Sequence, residues 1–272
     1  MGEAAAGQLR VRRPDGTRVA VQVGGPPSAP VLLLLQGQAS SHDWWTGLRG
    51  RWEDRYRTVT MDFRGTGASV ESDESRAGEL TTGLLAEDAL AVLDDLGVAG
   101  AHVYGTSMGG RVAQVLAARH DDRVRTLALA CTSPGGPRAV ERGAAVRRAL
   151  ADPDPAAVRA EMLRLFFTPA WDDGADGSHL LGDPSMSPRD RRRHLRMSAA
   201  HDAWDLLPRI GCPTLVLHGS DDEMSPPRSG QLIAERVPGA RLLLVDGGRH
   251  GFFAEMADQV DEALVELWNG VA

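Results

Sequence analysis

HVYGTSMGGRV, residues 102–112, sets a serine between glycines at the point where an apolar run ends. Read as strand, tight turn and helix, it makes Ser107 a nucleophile held on an elbow. Read as a Gly-rich loop, it leaves Ser107 a small residue in a flexible turn. The pattern G-x-S-x-G cannot decide alone, since a chain with this much serine and glycine yields about 0.2 such matches by chance. The flanks decide. AHVYG (101–105) has strand character and MGGRVAQVLAARH (108–120) helical character. Gly105 and Gly109 supply the clearance that a strained serine between two closely packed elements needs.

Outward from the elbow, strand and helix patterns alternate. In LRVRR and TRVAVQV, Leu9, Val11, Val19, Val21 and Val23 recur at period two around PDG, which predicts a β-hairpin. VLLLLQG (31–37) is apolar on both faces, as a central parallel strand must be. YRTVTMD (56–62), VRTLALAC (124–131), PTLVLHG (213–219) and ARLLLVDG (240–247) have similar character. Between them, LLAEDALAVLDDLG (84–97) places Leu85, Ala89, Val92 and Leu96 on one helical stripe. SGQLIAERV (229–237) and FFAEMADQVDEALVELW (252–268) each predict one further helix. This alternation implies an α/β fold with a mostly parallel central sheet flanked by helices.

From Gly136 to Leu207 no strand pattern is found. RAVERGAAVRRALA, PAAVRAEMLRLFF and RDRRRHLRMSAAHDAWDLL read as helices, and WDDGADGSHLLGDPSMSP as a long loop. The expected division is therefore a core over 1–135 and 208–272, with an inserted helical cap over 136–207. Such an insertion would lie over the carboxyl ends of the strands, where α/β sheets place their sites.

A serine hydroxyl needs a base to take its proton and a third group to hold that base. HGSDDEMSPP puts the carboxylate pair Asp221–Asp222 just past a strand, and GGRHGF puts His250 just past the next. Serine, acid and histidine thus follow in the order expected for loops of such a sheet.

With these motifs the chain resembles the α/β-hydrolase superfamily along essentially its whole length, through LLLLQG, MDFRGTGAS, GTSMGG, HGSDDEMSPP and GGRHGF. GTSMGG with VRTLALACTSPGG is most similar to esterases and enol-lactonases. The resemblance implies Ser107 as nucleophile, Asp222 as acid and His250 as base. It also implies an oxyanion hole from the backbone N–H groups of Met108 and Gln38. Relatives commonly read His-Gly after the central strand, where this chain reads Gln36-Gly37, so a neutral amide must anchor that loop. Serine at 107 argues against the family's carboxylate-nucleophile chemistries.

Composition excludes several other classes. The 272 residues are 42% apolar and 25% charged, with a formal charge of −7 and a pI near 5.6, which argues against nucleic acid or an anionic membrane as partner. No cofactor motif and no metal-ligand spacing is present, and the partner expected is a small-molecule substrate. Cys131 and Cys212 read as buried reduced thiols. MGEAAAGQLR lacks an apolar stretch of signal-peptide length, VLLLL is too short to span a membrane, and a cytoplasmic protein is expected. Asp62 and Arg64 read as loop-stapling groups, His218 as a structural histidine, and RDRRRH as a solvated helix face. His42, Trp44 and Trp45, after the oxyanion loop, read as packing at the edge of a substrate pocket rather than as direct substrate contacts, and Phe166, Phe167, Trp171, Met186, Met197 and Trp204 as either a small cap core or the lining of an apolar pocket.

The expected activity is cofactor-independent hydrolysis of a carboxylic ester, thioester or lactone of a medium-sized apolar substrate. Two alternatives stay open here. The same triad could drive elimination, cyclisation or acyl transfer, or the fold could serve as a non-catalytic binding protein.

Overall fold

Five consecutive apolar residues in a strand must find cover on both faces of a sheet, and this one does. In the computed structural model, β3 (Val31–Leu35) turns Val31, Leu33 and Leu35 into one hydrophobic cluster and Leu32 and Leu34 into another. The structure describes residues 8–140, 142–171 and 177–271; the N-terminal MGEAAAG, Glu141 and residues 172–176 of the Gly/Asp-rich stretch lie outside them.

The strands β1 (Gln8–Arg12), β2 (Arg18–Gly24), β3, β4 (Arg57–Met61), β5 (Ala101–Thr106), β6 (Val124–Ala130), β7 (Thr214–Gly219) and β8 (Arg241–Val245) form one sheet in the order β1-β2-β4-β3-β5-β6-β7-β8. The hairpin pairs antiparallel with itself and with β4; every later pairing is parallel. Parallel strands put all their carboxyl ends on one edge of the sheet, so the loops after β3, β5, β7 and β8 open together. As the outermost strand, β8 leaves Leu242 and Leu244 partly exposed, unlike the fully buried β3 and β5.

A short helix, α1 (Asp73–Ala77), follows β4, and the longer helices cover the sheet on two sides. On one lie α2 (Thr82–Asp95), α3 (Met108–Arg119) and α7 (Arg228–Arg236), burying Leu85, Val92, Val112, Leu116 and Ile233. On the other lies α9 (Ala257–Asn269), with Leu264 and Trp268. The stretch expected as one helix from 252 is two. A single turn, α8 (Phe252–Glu255), ends where Met256 leaves helical geometry at φ −114°, ψ 38°. Helical periodicity does not register a one-residue bend of this kind.

Between β6 and β7 the described residues hold α4 (Ala144–Ala149), α5 (Pro155–Phe166), a 3-10 turn at Gly177–Leu181 and α6 (Pro188–Ala200), with no strand. α4 is shorter than its pattern suggests: it begins only after Gly143. Among the described residues no helix is long and apolar enough to cross a membrane.

α6 corrects the reading of RDRRRH as a solvated face. Asp190, Arg193, His194 and Met197 form a buried stripe. Arg193 donates to both carboxylate oxygens of Glu71 at 2.7 and 3.1 Å and to Asp190 at 3.2 Å, and His194 Nε2 donates to the Arg64 carbonyl at 2.8 Å. Charges can be buried here because each finds a partner. Arg64 in turn grips Asp88 with two bonds, Nε to Oδ2 at 2.6 Å and Nη2 to Oδ1 at 2.8 Å, and reaches Asp15, Thr17 and Ser75 through Nη1. Its stapling role joins the hairpin, α2 and the loop after β4.

Arg64 and Asp88 are almost completely buried. Arg64→Met should therefore cost about 3–5 kcal/mol in urea unfolding, because it takes both guanidinium bonds from a buried carboxylate and leaves it a single bond from Arg13. Adding Asp88→Leu should recover part of that loss; a single variant as stable as the parent would refute the role.

Candidate active site

The elbow is built by contact. A Cβ on Gly109 would run into the Leu35 carbonyl, and one on Gly105 would lie 2.6 Å from the Gly109 oxygen. Only glycine lets α3 start this close to β3 and β5. Between them Ser107 is held at φ 52°, ψ −118°, a conformation that L side chains rarely adopt. Its N–H donates to the Ala130 carbonyl at 2.8 Å, and its carbonyl accepts from Thr132 Oγ1 at 2.6 Å. These bonds hold the serine at the amino end of α3.

The loops after β7 and β8 bring Asp222 and His250 to it. His250 Nε2 lies 3.1 Å from Ser107 Oγ, and His250 Nδ1 lies 2.8 Å from Asp222 Oδ2. Asp222 is buried and also accepts from the Ser225 N–H at 2.8 Å. Burial alone would raise its pKa, but His250 and His218 outweigh that and hold it at about 2. An ionised carboxylate only accepts, so the His250 Nδ1 proton points to Asp222 and leaves Nε2 free to take the serine proton. Asp221 goes the other way: it is exposed and takes a bond from Ser220 Oγ at 3.0 Å. His218 is fully buried and donates from Nε2 to the Ser225 carbonyl at 2.7 Å, which steadies the turn that carries Asp222.

The loop after β3 is anchored by Gln36. Gln36 is fully buried, and its Nε2 donates to the Met61 carbonyl at 2.7 Å and to Ser40 O at 3.3 Å, tying the loop to the end of β4 and to itself. Ala39, just past Gln38, takes φ 55°. Among the described residues, no backbone carbonyl accepts from the N–H of Gln38 or Met108. Asp62 staples the next stretch: its Oδ1 meets the backbone N–H and ring Nδ1 of His42 at 2.7 and 2.9 Å, and its Oδ2 accepts from the Ala68 N–H at 2.9 Å.

The predicted pocket residues separate. Phe166 presents its ring to the edge of His250 at 5.0 Å between centroids, Trp44 meets Phe166 at 6.1 Å, and Phe167 stacks on Trp171 at 5.0 Å. Trp45, the very next residue, instead faces Trp52 and Tyr104 in the core beneath. Trp204 is not in an apolar lining at all: Arg138 and Arg236 lie over its ring at 4.9 and 4.8 Å. Met197 joins the core cluster that contains Met108, and Met186 is buried. Cys131 and Cys212 are free and buried, and burial pushes the Cys131 thiol well up. Among the described residues no cluster of three or more His, Cys, Asp or Glu is arranged to hold a metal ion.

Two contributors escaped sequence reasoning. Arg249 bonds to the end of α5, and Asp183, in the turn before α6, donates its N–H to the Ala39 carbonyl at 2.7 Å. Arg249 had a signal, its place directly before His250; Asp183 had none.

Known proteins resemble this chain along most of its length. The sequence profile of the alpha/beta hydrolase fold matches residues 30–256. A protein of Caulobacter sp. strain K31, provisionally named the carbamate hydrolase RutD, is 28% identical over 92% of this chain and 94% of its own. The pimeloyl-[acyl-carrier protein] methyl ester esterase of Neisseria meningitidis serogroup B is 32% identical over 86% of this chain and 90% of its own. Among solved structures, a hydrolase from Pseudomonas aeruginosa PA01 superposes with a TM-score of 0.81 at 27% identity, over 97% of this chain and 99% of its own.

In an ordinary helix Gly→Ala stabilises by roughly 0.5–1 kcal/mol. Gly109→Ala should reverse the sign and cost about 1–3 kcal/mol in thermal unfolding, because the methyl group meets backbone that cannot retreat. A stabilised Gly109→Ala protein would refute the close approach.

The hydrogen bond to Asp62 raises the pKa of the half-buried His42 above its ordinary 6.5. The protonated form is therefore favoured by folding. Its contribution is complete below about pH 6.5 and fades as pH rises through the raised value. Thermal melts between pH 6 and 9 should show a shallower fall in stability for His42→Gln than for the parent; equal slopes would count against the pair.

Proposed function

The chain belongs to the alpha/beta hydrolase fold family, and on that footing we propose that this hydrolase cleaves carboxylic esters, or thioesters and lactones of the same carbonyl chemistry, through an acyl-enzyme. One observation carries the proposal: Ser107 Oγ, His250 and a buried, ionised Asp222 form a single hydrogen-bonded line at 3.1 and 2.8 Å. The methyl ester esterase among its relatives supports the ester as the bond attacked.

In the proposed cycle His250 Nε2 takes the Ser107 proton as Oγ adds to the carbonyl. The N–H groups of Met108 and Gln38 receive the oxyanion, each supplying about 3 kcal/mol to the transition state. Asp222 keeps the histidine in the productive tautomer and stabilises the imidazolium. The imidazolium protonates the departing alcohol, then His250 activates water to release the acid. Gln36 does not touch the reaction; it holds the loop that presents Gln38. No cofactor is required for any of these steps.

We read residues 136–207 as a cap, and Phe166, Phe167, Trp171 and Trp44 as the apolar surface that receives the acyl group. Phe166 packs against His250, and Trp44 and Phe167 pack against Phe166; apolar rings at this place favour an apolar, medium-sized acyl chain over a charged one.

Ser107→Ala should abolish fluorophosphonate labelling and lower kcat by several orders of magnitude with the fold intact. Asp222→Asn should cost about 10⁴-fold in kcat through the wrong histidine tautomer. Asp221→Asn should cost less than about tenfold, as a group outside the line. Rates across p-nitrophenyl esters of graded acyl length, with product masses showing the gain of one water, complete the test. Normal turnover by Ser107→Ala, or the reverse ranking of the two aspartates, would overturn the assignment.

A further inference from the structure

The loop that carries His250 does not rest on the sheet alone. A helix ends with carbonyls that have no intrahelical donor, and they must find partners elsewhere. At the carboxyl end of α5, those partners come from the His250 loop. His250 N–H donates to the Leu165 carbonyl at 3.1 Å and Gly251 N–H to Phe166 O at 2.8 Å. Arg249 Nη1 donates to both Arg164 O at 2.7 Å and Phe167 O at 2.8 Å. One residue further, Thr168 donates its N–H to Glu255 Oε2 at 3.0 Å and its hydroxyl to Oε1. The fit is close: a side chain at Gly251 would lie 2.8 Å from the Phe167 ring and 2.9 Å from the Phe166 carbonyl.

This docking has a geometric consequence. His250 bonds through its backbone to Leu165 and through its ring to Asp222 and Ser107, so the three fixed points together set where Nε2 lies. Arg249 grips α5 on either side of the Leu165–Phe166 pair that receives the loop. A guanidinium suits this place, since it offers several donors in a rigid fork and its charge is favourable at a helix carboxyl end. The same segment of chain reaches the other side of the site, where Asp183 donates its N–H to Ala39 O at 2.7 Å and its carboxylate accepts from the Gly67 N–H at 2.7 Å.

We propose that the end of α5, clamped by Arg249, is part of the scaffold that positions His250, so that the insertion sets the rate of the chemical step and not only the choice of substrate. This rests on the assignment of His250 as the base. Arg249 touches neither substrate nor reacting atoms; it is a positioning residue. A misplacement of about 1 Å in such a group can cost about 10²-fold.

The test is Arg249→Ala in the full chain, assayed with p-nitrophenyl butyrate and with a small fluorophosphonate. The expected result is a fall in kcat of about 10- to 100-fold with KM changed less than about threefold. Inactivation by the fluorophosphonate, which needs Ser107 and His250 but little of the acyl pocket, should slow by a similar factor. Arg249→Lys, which keeps the charge and a donor, should recover part of both losses. Unchanged kcat and labelling in Arg249→Ala would overturn the proposal, whether or not preference among acyl lengths shifted. A loss confined to KM would overturn it too. If Arg249→Ala does not fold, Thr168→Val removes the hydroxyl's bonds to Glu255 and to the Ala170 N–H in the same turn and should lower kcat about threefold at unchanged KM; parental kcat would then overturn it. A parent enzyme inert to both reagents would instead reject the hydrolase assignment, whatever Arg249 does.

Discussion

Everything at the site depends on how closely α3 approaches β3 and β5. Gly109 lies against the Leu35 backbone and Gly105 against Gly109, with no room for a methyl group at either place. That contact leaves Ser107 in a turn too tight for ordinary backbone angles, and the surrounding bonds to Ala130 and Thr132 keep it there. Strain of this kind persists only when the surrounding structure over-determines it. The reward is a hydroxyl raised at a helix amino end, beside the first free N–H groups of α3.

Electrostatics then arrange the loops around that fixed point. At the strand ends and in α2 stand buried carboxylates, each committed to named donors: Asp62 to His42 and Ala68, Asp88 to Arg64 and Arg13, Asp222 to His250 and Ser225. None is left alone, which is why so many charges can be placed inside without destabilising the fold. The same logic fixes Gln36. Its amide Nε2 donates across to the end of β4, so the loop is anchored. The oxyanion donors we propose, the N–H groups of Gln38 and Met108, are backbone groups and do not depend on the side chain at 36.

The helices between β6 and β7 are bound to this frame at several places. α6 inserts Arg193 and His194 among the loops after β4, Asp183 bonds to the loop after β3, and the end of α5 carries the loop after β8. A segment held this way moves little without moving the site. The aromatic surface facing His250 is correspondingly well packed, Phe166 against the imidazole and Trp44 against Phe166 and Phe253.

By itself the sequence determined the α/β architecture, because apolar runs buried on both faces and one-sided helical stripes have different periods. It also singled out Ser107, His250 and a carboxylate pair as candidates, because each follows a strand in chain order. Resemblance chose Asp222 from the pair; only the fold shows why, with one carboxylate buried toward His250 and its neighbour in solvent. Three other matters were beyond any local pattern. Trp44 and Trp45 are adjacent, yet a 3-10 turn sends them to different partners. Arg193 and His194 read as solvent-facing until Glu71 and the Arg64 carbonyl, more than a hundred residues away in the chain, are brought to meet them. Arg249 meets the end of α5 across a separation of more than eighty residues. Periodicity records which side of an element is apolar. Which distant group satisfies a buried charge or an open helix end is decided only when the chain closes on itself.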